Sequence, residues 1–192
     1  MRITKSDVIQ TAADIADKNG LSNVSLKAVA ESLNIRTPSL YNHIDSLEAL
    51  LREIAHNGMK TMNERMMQAA IGKIGDDAIK SVGITYLNYM IEHPGIYETI
   101  QWATWHGTEE TGKIFDSYLS LLKTLALSCD FNPVNIDEIL NLLTGVLHGY
   151  TTLQLRYAFT KPDEVRTALS AALDTVLAGL HQKYDQHEKG HL

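Results

Sequence analysis

Residues 25–51 read SLKAVAESLNIRTPSLYNHIDSLEALL, and their punctuation decides the fold. Ser25 is placed to cap a short helix whose Val29, Ala30 and Leu33 recur at three- and four-residue spacing, and Asn34 ends it. Thr37 is placed to cap a second short helix, with Pro38 at the first helical position, where its missing N–H costs nothing. That helix is expected to run only to about His43. From Ser46, Leu47, Leu50, Leu51 and Ile54 open a longer helix. Upstream, Thr4 and Asp7 start a first helix over about residues 5 to 18, striped by Val8, Ala12, Ile15 and Ala16 and stopped by Asn19-Gly20. A packing helix followed by two short helices around Asn34-Ile35-Arg36 matches the helix-turn-helix arrangement, which presents its second short helix to the DNA major groove.

Downstream the helical period continues. The helix from Ser46 carries Met59, Met62 and Met66 as far as Gly72 and Gly75, and is expected to link head to body. Ile79, Val82, Tyr86 and Met90 mark the next, ending at His93-Pro94-Gly95; a short helix follows through Trp102. Phe115, Tyr118, Leu122, Leu125 and Cys129 stripe another, broken by Asn132-Pro133. Residues 136 to 159 are apolar on more than one face, and a last helix spans about Pro162 to Lys183. With only four prolines and no alternating strand pattern, the chain reads as all-α. The expected division is a helix-turn-helix domain over 1–50, a helical-bundle domain over 51–185 and a polar tail over 186–192.

Composition narrows the class. A chain of 192 residues, 44% hydrophobic, buries a sizeable core without cross-links, and its single cysteine, Cys129, excludes an internal disulfide. Cys129 reads as a small buried hydrophobe. The MRITKSDVIQ start lacks an apolar signal core, and no run approaches the roughly 18 apolar residues of a membrane span, so a cytoplasmic protein with no membrane partner is expected. Net charge is -6, and the first fifty residues hold five cations (Arg2, Lys5, Lys18, Lys27, Arg36) against six acids. Attraction to phosphate must then come from placed donors, helix N-termini and dimerisation.

An enzyme finds no support. There is no Gly-rich phosphate loop, no Glu-x-x-His motif and no Cys-His pair at metal spacing, and His181, His187 and His191 do not form a helical ligand pair. No catalytic residue, metal or cofactor is expected. Beside DNA binding stand two alternatives: a helical regulator acting through protein partners, as the near-neutral head allows, and a helical-bundle enzyme.

The 25–51 run resembles the head of the TetR family of bacterial regulators in its small-to-aliphatic helix, polar turn, Tyr-x-His ending and leucine-rich opening of the following helix. Leu40, Tyr41, His43, Leu47, Leu50 and Leu51 carry the match. The resemblance implies Lys27, Thr37, Ser39 and Asn42 as base-edge or groove readers and Tyr41 and His43 on phosphates, with Arg36 and Pro38 beside them. Their chemistry fits, since hydroxyls and amides both donate and accept at base edges. Ile44 stands where the family usually has an aromatic, and Leu47 where a phosphate-binding lysine is common.

Trp105-His106-Gly107 resembles the signature of the AcrR-like branch whose effector domain carries a WHG motif. That resemblance implies a largely apolar small-molecule effector held in the body, with Met62, Tyr86, Tyr89, Met90, Trp102, Trp105, Tyr118, His148 and Gln154 as its expected lining. It also implies a homodimer built on the last two helices, where Gly145, Gly149, Ala171, Ala178 and Gly179 permit close approach and Leu169 and Val176 are expected at the interface. Two heads related by a two-fold axis meet successive major grooves roughly 34 Å apart, so a pseudo-palindromic double-stranded operator follows, with repression relieved by effector.

Overall fold

The computed structural model describes residues 3–156 and 159–184, so the expected polar tail lies outside the described residues. Every regular element among those residues is helical: α1 (Lys5–Asn19), α2 (Leu26–Ser32), α3 (Thr37–Leu40), α4 (Leu47–Ala70), α5 (Gly75–Glu92), α6 (Pro94–His106), α7 (Glu109–Leu127), α8 (Ile136–Leu155) and α9 (Pro162–Tyr184). Two compact units result: Met1–Thr61 with Glu92–Phe115, and Met62–Ile91 with Asp116–Leu192. This departs from the division expected at residue 50. The first half of α4, all of α6 and the start of α7 belong to the head unit, and the body begins again within α4 and α7.

In the head, local chemistry sets each boundary. Thr4 and Asp7 close a reciprocal capping box on α1, and Gly20, at φ 85°, takes the left-handed turn that ends it. Ser25 Oγ accepts from Ala28 N at 3.1 Å to cap α2, and Asn34, at φ 54°, makes the turn to α3. Ser46 caps α4 through Ala49 N at 3.0 Å. Val8, Ala12 and Ala16 of α1, Val29 and Ala30 of α2, Leu40, Ile44 and then Leu50 and Ile54 of α4 form one buried cluster. Each fully buried large aliphatic contributes about 1.5–3 kcal/mol, and the alanines let the helices approach closely.

The short helix α3 corrects the expectation of a helix to His43. It ends at Leu40, and hydrogen-bonded turns carry the chain on, with His43 N donating to Leu40 O at 2.8 Å. Arg36, not Thr37, occupies its cap position and makes no side-chain cap; Thr37 is the first helical residue. Elsewhere α6 runs past Trp102 to His106 and α7 starts at Glu109, because the break falls at Gly107-Thr108.

In the body, α5 and α9 run antiparallel, fixed by His181–Asp76 at 2.9 Å, Lys80–Asp174 at 3.0 Å and Arg166–Asn88 at 2.6 Å. Gly83 admits Leu147 of α8 and Leu173 of α9, whose side chains lie 3.0 and 3.1 Å from where its Cβ would be. Leu169, expected at a subunit interface, is completely buried within the protomer instead. Cys129 is buried as expected, and burial pushes its thiol up to about 12.

Candidate functional site

The residues expected to read DNA form one strip of the head. From Arg36 to His43 only Leu40 is buried; Arg36, Pro38, Tyr41 and Asn42 are exposed, and Thr37, Ser39 and His43 are half-exposed. Tyr41, an aromatic 57% open to solvent, has no packing role that would account for it. Lys27, on α2, is exposed and lies 3.8 Å from Glu31 one turn on. The two departures from the family pattern both serve the core: Ile44 is 5% exposed and Leu47 packs against the same cluster.

A second construction in this unit was not foreseen. Asp17, on the last turn of α1, reaches the start of α6: its Oδ1 accepts from Gly95 N at 2.8 Å and Ile96 N at 3.1 Å, and its Oδ2 meets His93 Nδ1 at 2.9 Å. A carboxylate is thus supplied to a helix N-terminus from a different helix, satisfying two of its unbonded donors. The backbones nearly touch there, since a Cβ on Gly95 would lie 2.1 Å from the Ala16 carbonyl carbon. Gly58 of α4 similarly makes room for Ile96. In the sequence His93-Pro94-Gly95 marks only a helix end. Nothing local marks its partner, because Asp17 lies 78 residues from Gly95.

The Trp105-His106-Gly107 motif also closes inside the head unit. His106 stacks on Trp102 at 4.6 Å and hydrogen-bonds the Trp102 carbonyl, while its own carbonyl accepts from Arg52 of α4 at 3.3 Å. Gly107 is packed against the Ala103 carbonyl and Thr111, with no room for a Cβ. Thr111 Oγ1 accepts from Thr108 N at 3.0 Å and hydrogen-bonds the buried His56 of α4 at 2.8 Å. Trp102 and Trp105 therefore depart from their expected place among the body residues: both belong to the head unit, and Trp105 is 87% exposed.

Other expected lining residues do gather in the body. Tyr86 of α5 sits edge-on to His148 of α8 at 5.5 Å, with its hydroxyl 3.2 Å from Nδ1, and its ring centroid lies 6.5 Å from that of Tyr118 on α7. Burial holds the His148 imidazole below its ordinary range, and pushes the Tyr118 phenol up to about 12. Met62, Tyr89 and Met90 are buried, with Arg65 lying over the Tyr89 ring at 4.9 Å. Gln154 is half-buried, its amide oxygen without a partner. Among the described residues no set of side chains has the makings of a metal site, and no helix is long and apolar enough to cross a membrane.

An exposed polar strip on a helix-turn-helix head, carried with a separate helical bundle, defines a class of DNA-binding transcriptional regulators. Comparison with known proteins narrows it. Residues 79–176, about half the chain, match the family model described as Tetracyclin repressor-like, C-terminal domain. The chain is 31% identical over 179 residues to the uncharacterized HTH-type transcriptional regulator YobS of Bacillus subtilis, covering 93% of each. It is 29% identical over 96 residues to the HTH-type regulator Rv0681 of Mycobacterium tuberculosis, spanning 44% of that protein. The fold is shared with a protein of unknown function from Rhodococcus sp. RHA1, at a TM-score of 0.81 and 17% identity over 94% of this chain and 96% of that one. A TetR variant from Acinetobacter baumannii AYE, solved in complex with minocycline, superposes at a TM-score of 0.71 with 19% identity over 96% of this chain and all of that one. The chain belongs to the TetR family: it is a helix-turn-helix transcriptional regulator, not an enzyme.

Proposed function

We propose that the protein is a homodimeric repressor that binds a pseudo-palindromic operator through Lys27, Arg36, Thr37, Pro38, Ser39, Tyr41, Asn42 and His43, and is released by a small molecule bound in the body. The observation that carries the reading is the strip itself, eight consecutive positions from 36 to 43 of which a single one is buried. A head surface left polar and uncommitted over that length, with an outward tyrosine, suits groove and phosphate contacts.

Dimerisation is supported by the open face of α8 and α9. Glu138, Leu142, Thr175, Val176, Gly179, Leu180, Lys183 and Tyr184 line a groove of about 470 Å³, Leu142 is 46% exposed, and Gly145, Gly149 and Gly179 have no atom near their absent side chains. Val176 and Leu142 are therefore the positions at which a charge separates subunits; a charge at Leu169 unfolds the protomer.

Release follows from population shift. An effector that fits one body conformation better than another withdraws the dimer from the state that spans two grooves, and operator DNA weakens effector binding by the same factor, typically ~5–150-fold. The test is selection of bound duplexes from a random library, with light scattering of the same protein. Inverted half-sites, a dimer mass, and about 1–3 kcal/mol lost at one operator position on Asn42→Ala are expected. Absence of duplex binding at low salt, with salt-insensitive capture of a protein partner, refutes the reading.

A further inference from the structure

Two layers meet inside the body. One is apolar: Ile79, Val82, Gly83, Leu122, Leu125, Leu143, Leu147 and Leu173 line a residual cavity of about 10 Å³, room for barely one water molecule. The other lies one helical turn away on α5 and α7, since Tyr86 follows Val82 by four residues and Tyr118 precedes Leu122 by four, and beside it on α8, where His148 adjoins Leu147. Tyr86 and His148 hydrogen-bond each other. Tyr118 is 5% exposed with the Thr144 hydroxyl near it, and its own hydroxyl makes no well-formed hydrogen bond. The same is true of the amide oxygen of Asn63, on α4, which is 6% exposed. Buried polar atoms left unbonded are costly, and natural proteins retain few of them.

Charge is missing from this interior. Among the described residues no Asp, Glu, Lys or Arg is buried, and Arg65, which caps the Tyr89 ring, is exposed. An ionised ligand group carried inward would meet no opposite charge, and desolvating it unpaired is prohibitive. The Tyr118 phenol and the His148 imidazole are themselves neutral at ordinary pH, so neither supplies one.

Resting on the reading of the body as an effector site, we infer that the ligand is an uncharged molecule with an apolar skeleton and a hydroxyl, phenol or amide group, the polar group bonding Tyr118 and the skeleton entering the leucine-lined layer. Drug-sized ligands occupy roughly 300–1,000 Å³, so such a molecule parts α5, α7 and α8 on entry. A body opened to that volume differs from the tightly packed one in the way a population shift requires.

The test is calorimetric titration of the full-length protein, alone and with its selected operator, using naphthyl, cyclohexyl and decyl skeletons, each as the alcohol, the carboxylate and the ammonium. At least one alcohol is expected to bind, with both charged congeners at least about tenfold weaker. Tyr118→Phe should weaken the alcohol about tenfold, the value of one hydrogen bond, while leaving the hydroxyl-free hydrocarbon unchanged and the unliganded protein no less stable. An alcohol affinity indifferent to Tyr118→Phe, or failure of every alcohol to bind, overturns the inference. A carboxylate or ammonium that binds as tightly as its alcohol overturns it too; if that congener also releases the operator, the effector reading stands while the neutral class falls.

Discussion

The head unit and the body differ in how completely they satisfy their buried polar groups. In the head, Asp17 bonds His93, Gly95 and Ile96; His56 bonds Thr111; and Thr99, fully buried, donates to the Gly95 carbonyl at 2.6 Å. No buried side-chain nitrogen or oxygen lacks a partner among the described residues of that unit. The body leaves Asn63 Oδ1, the Tyr118 and Tyr184 hydroxyls and Gln154 Oε1 without a well-formed hydrogen bond. A satisfied network fixes one arrangement, whereas orphaned groups hold free energy that a different arrangement or an added molecule can recover. The contrast separates a fully bonded part from one that keeps unbonded polar groups in its interior.

The largest effect should come from Gly95→Ala. Its methyl group would sit against α1 backbone, which cannot move aside as a side chain can, and about 3 kcal/mol or more of stability should be lost in a denaturant titration. A loss below about 1 kcal/mol would mean that α6 is loosely held, and the contrast would lose its strongest member.

Next, Thr111→Val keeps the shape but strips the hydroxyl's hydrogen bonds, leaving His56 Nε2, Thr108 N and Thr108 Oγ1 without that partner. About 2 kcal/mol should be lost. The matching change in the body is Asn63→Leu, which replaces an amide whose oxygen is unsatisfied with an apolar group of similar volume and should gain up to about 1 kcal/mol. Equal signs for the two substitutions would break the comparison outright.

The smallest effect is in pH. Burial holds both His56 and His148 below the ordinary imidazole range, His56 against the pull of Glu110 at 3.9 Å. The unfolded chain therefore binds protons more readily than the folded one. Stability from the two neutral rings is complete above the ordinary range and declines as pH falls through it towards the lower folded values. Thermal midpoints measured from about pH 7.5 down to about 5.5 should fall, and His56→Gln with His148→Gln should flatten the decline. Added salt should lower the His56 titration midpoint further, because exposed Glu110 is screened, and should leave His148 unmoved.

Much of the head was legible because its signals are local. Thr4 with Asp7, Gly20, Ser25, Asn34 and Ser46 each act within a few residues, and each stands where a cap or a left-handed turn is needed. The exposed strip was legible for the same reason, through a motif eight residues long. The seam between α1 and α6 was not. Gly95 adopts no left-handed conformation, so its need for a bare α-carbon arises only from Ala16, far away in sequence. Aromatic clustering along the chain likewise placed Trp105 beside Tyr86, although the helix between them carries Trp105 out to solvent in the other unit. Leu169 shows the same limit: its stripe announced burial and was silent on whether the neighbour is the same chain or a second copy.

The ownership of α6 bears on how such regulators can be recombined. Swapping the first fifty residues onto a foreign bundle looks like the exchange of a cassette, yet it would cut α4 near its start and discard Pro94–His106 together with the Asp17 clamp. The transplanted piece would expose the surface of Ala16 that Gly95 covers and leave an unpaired carboxylate beside it. A chimera that keeps the head unit whole must therefore take residues 92–115 from the same parent as residues 1–61, as a discontinuous graft. Inheritance of DNA specificity in this lineage should follow both stretches together, so that a crossover falling between them yields a hybrid with a weakened head.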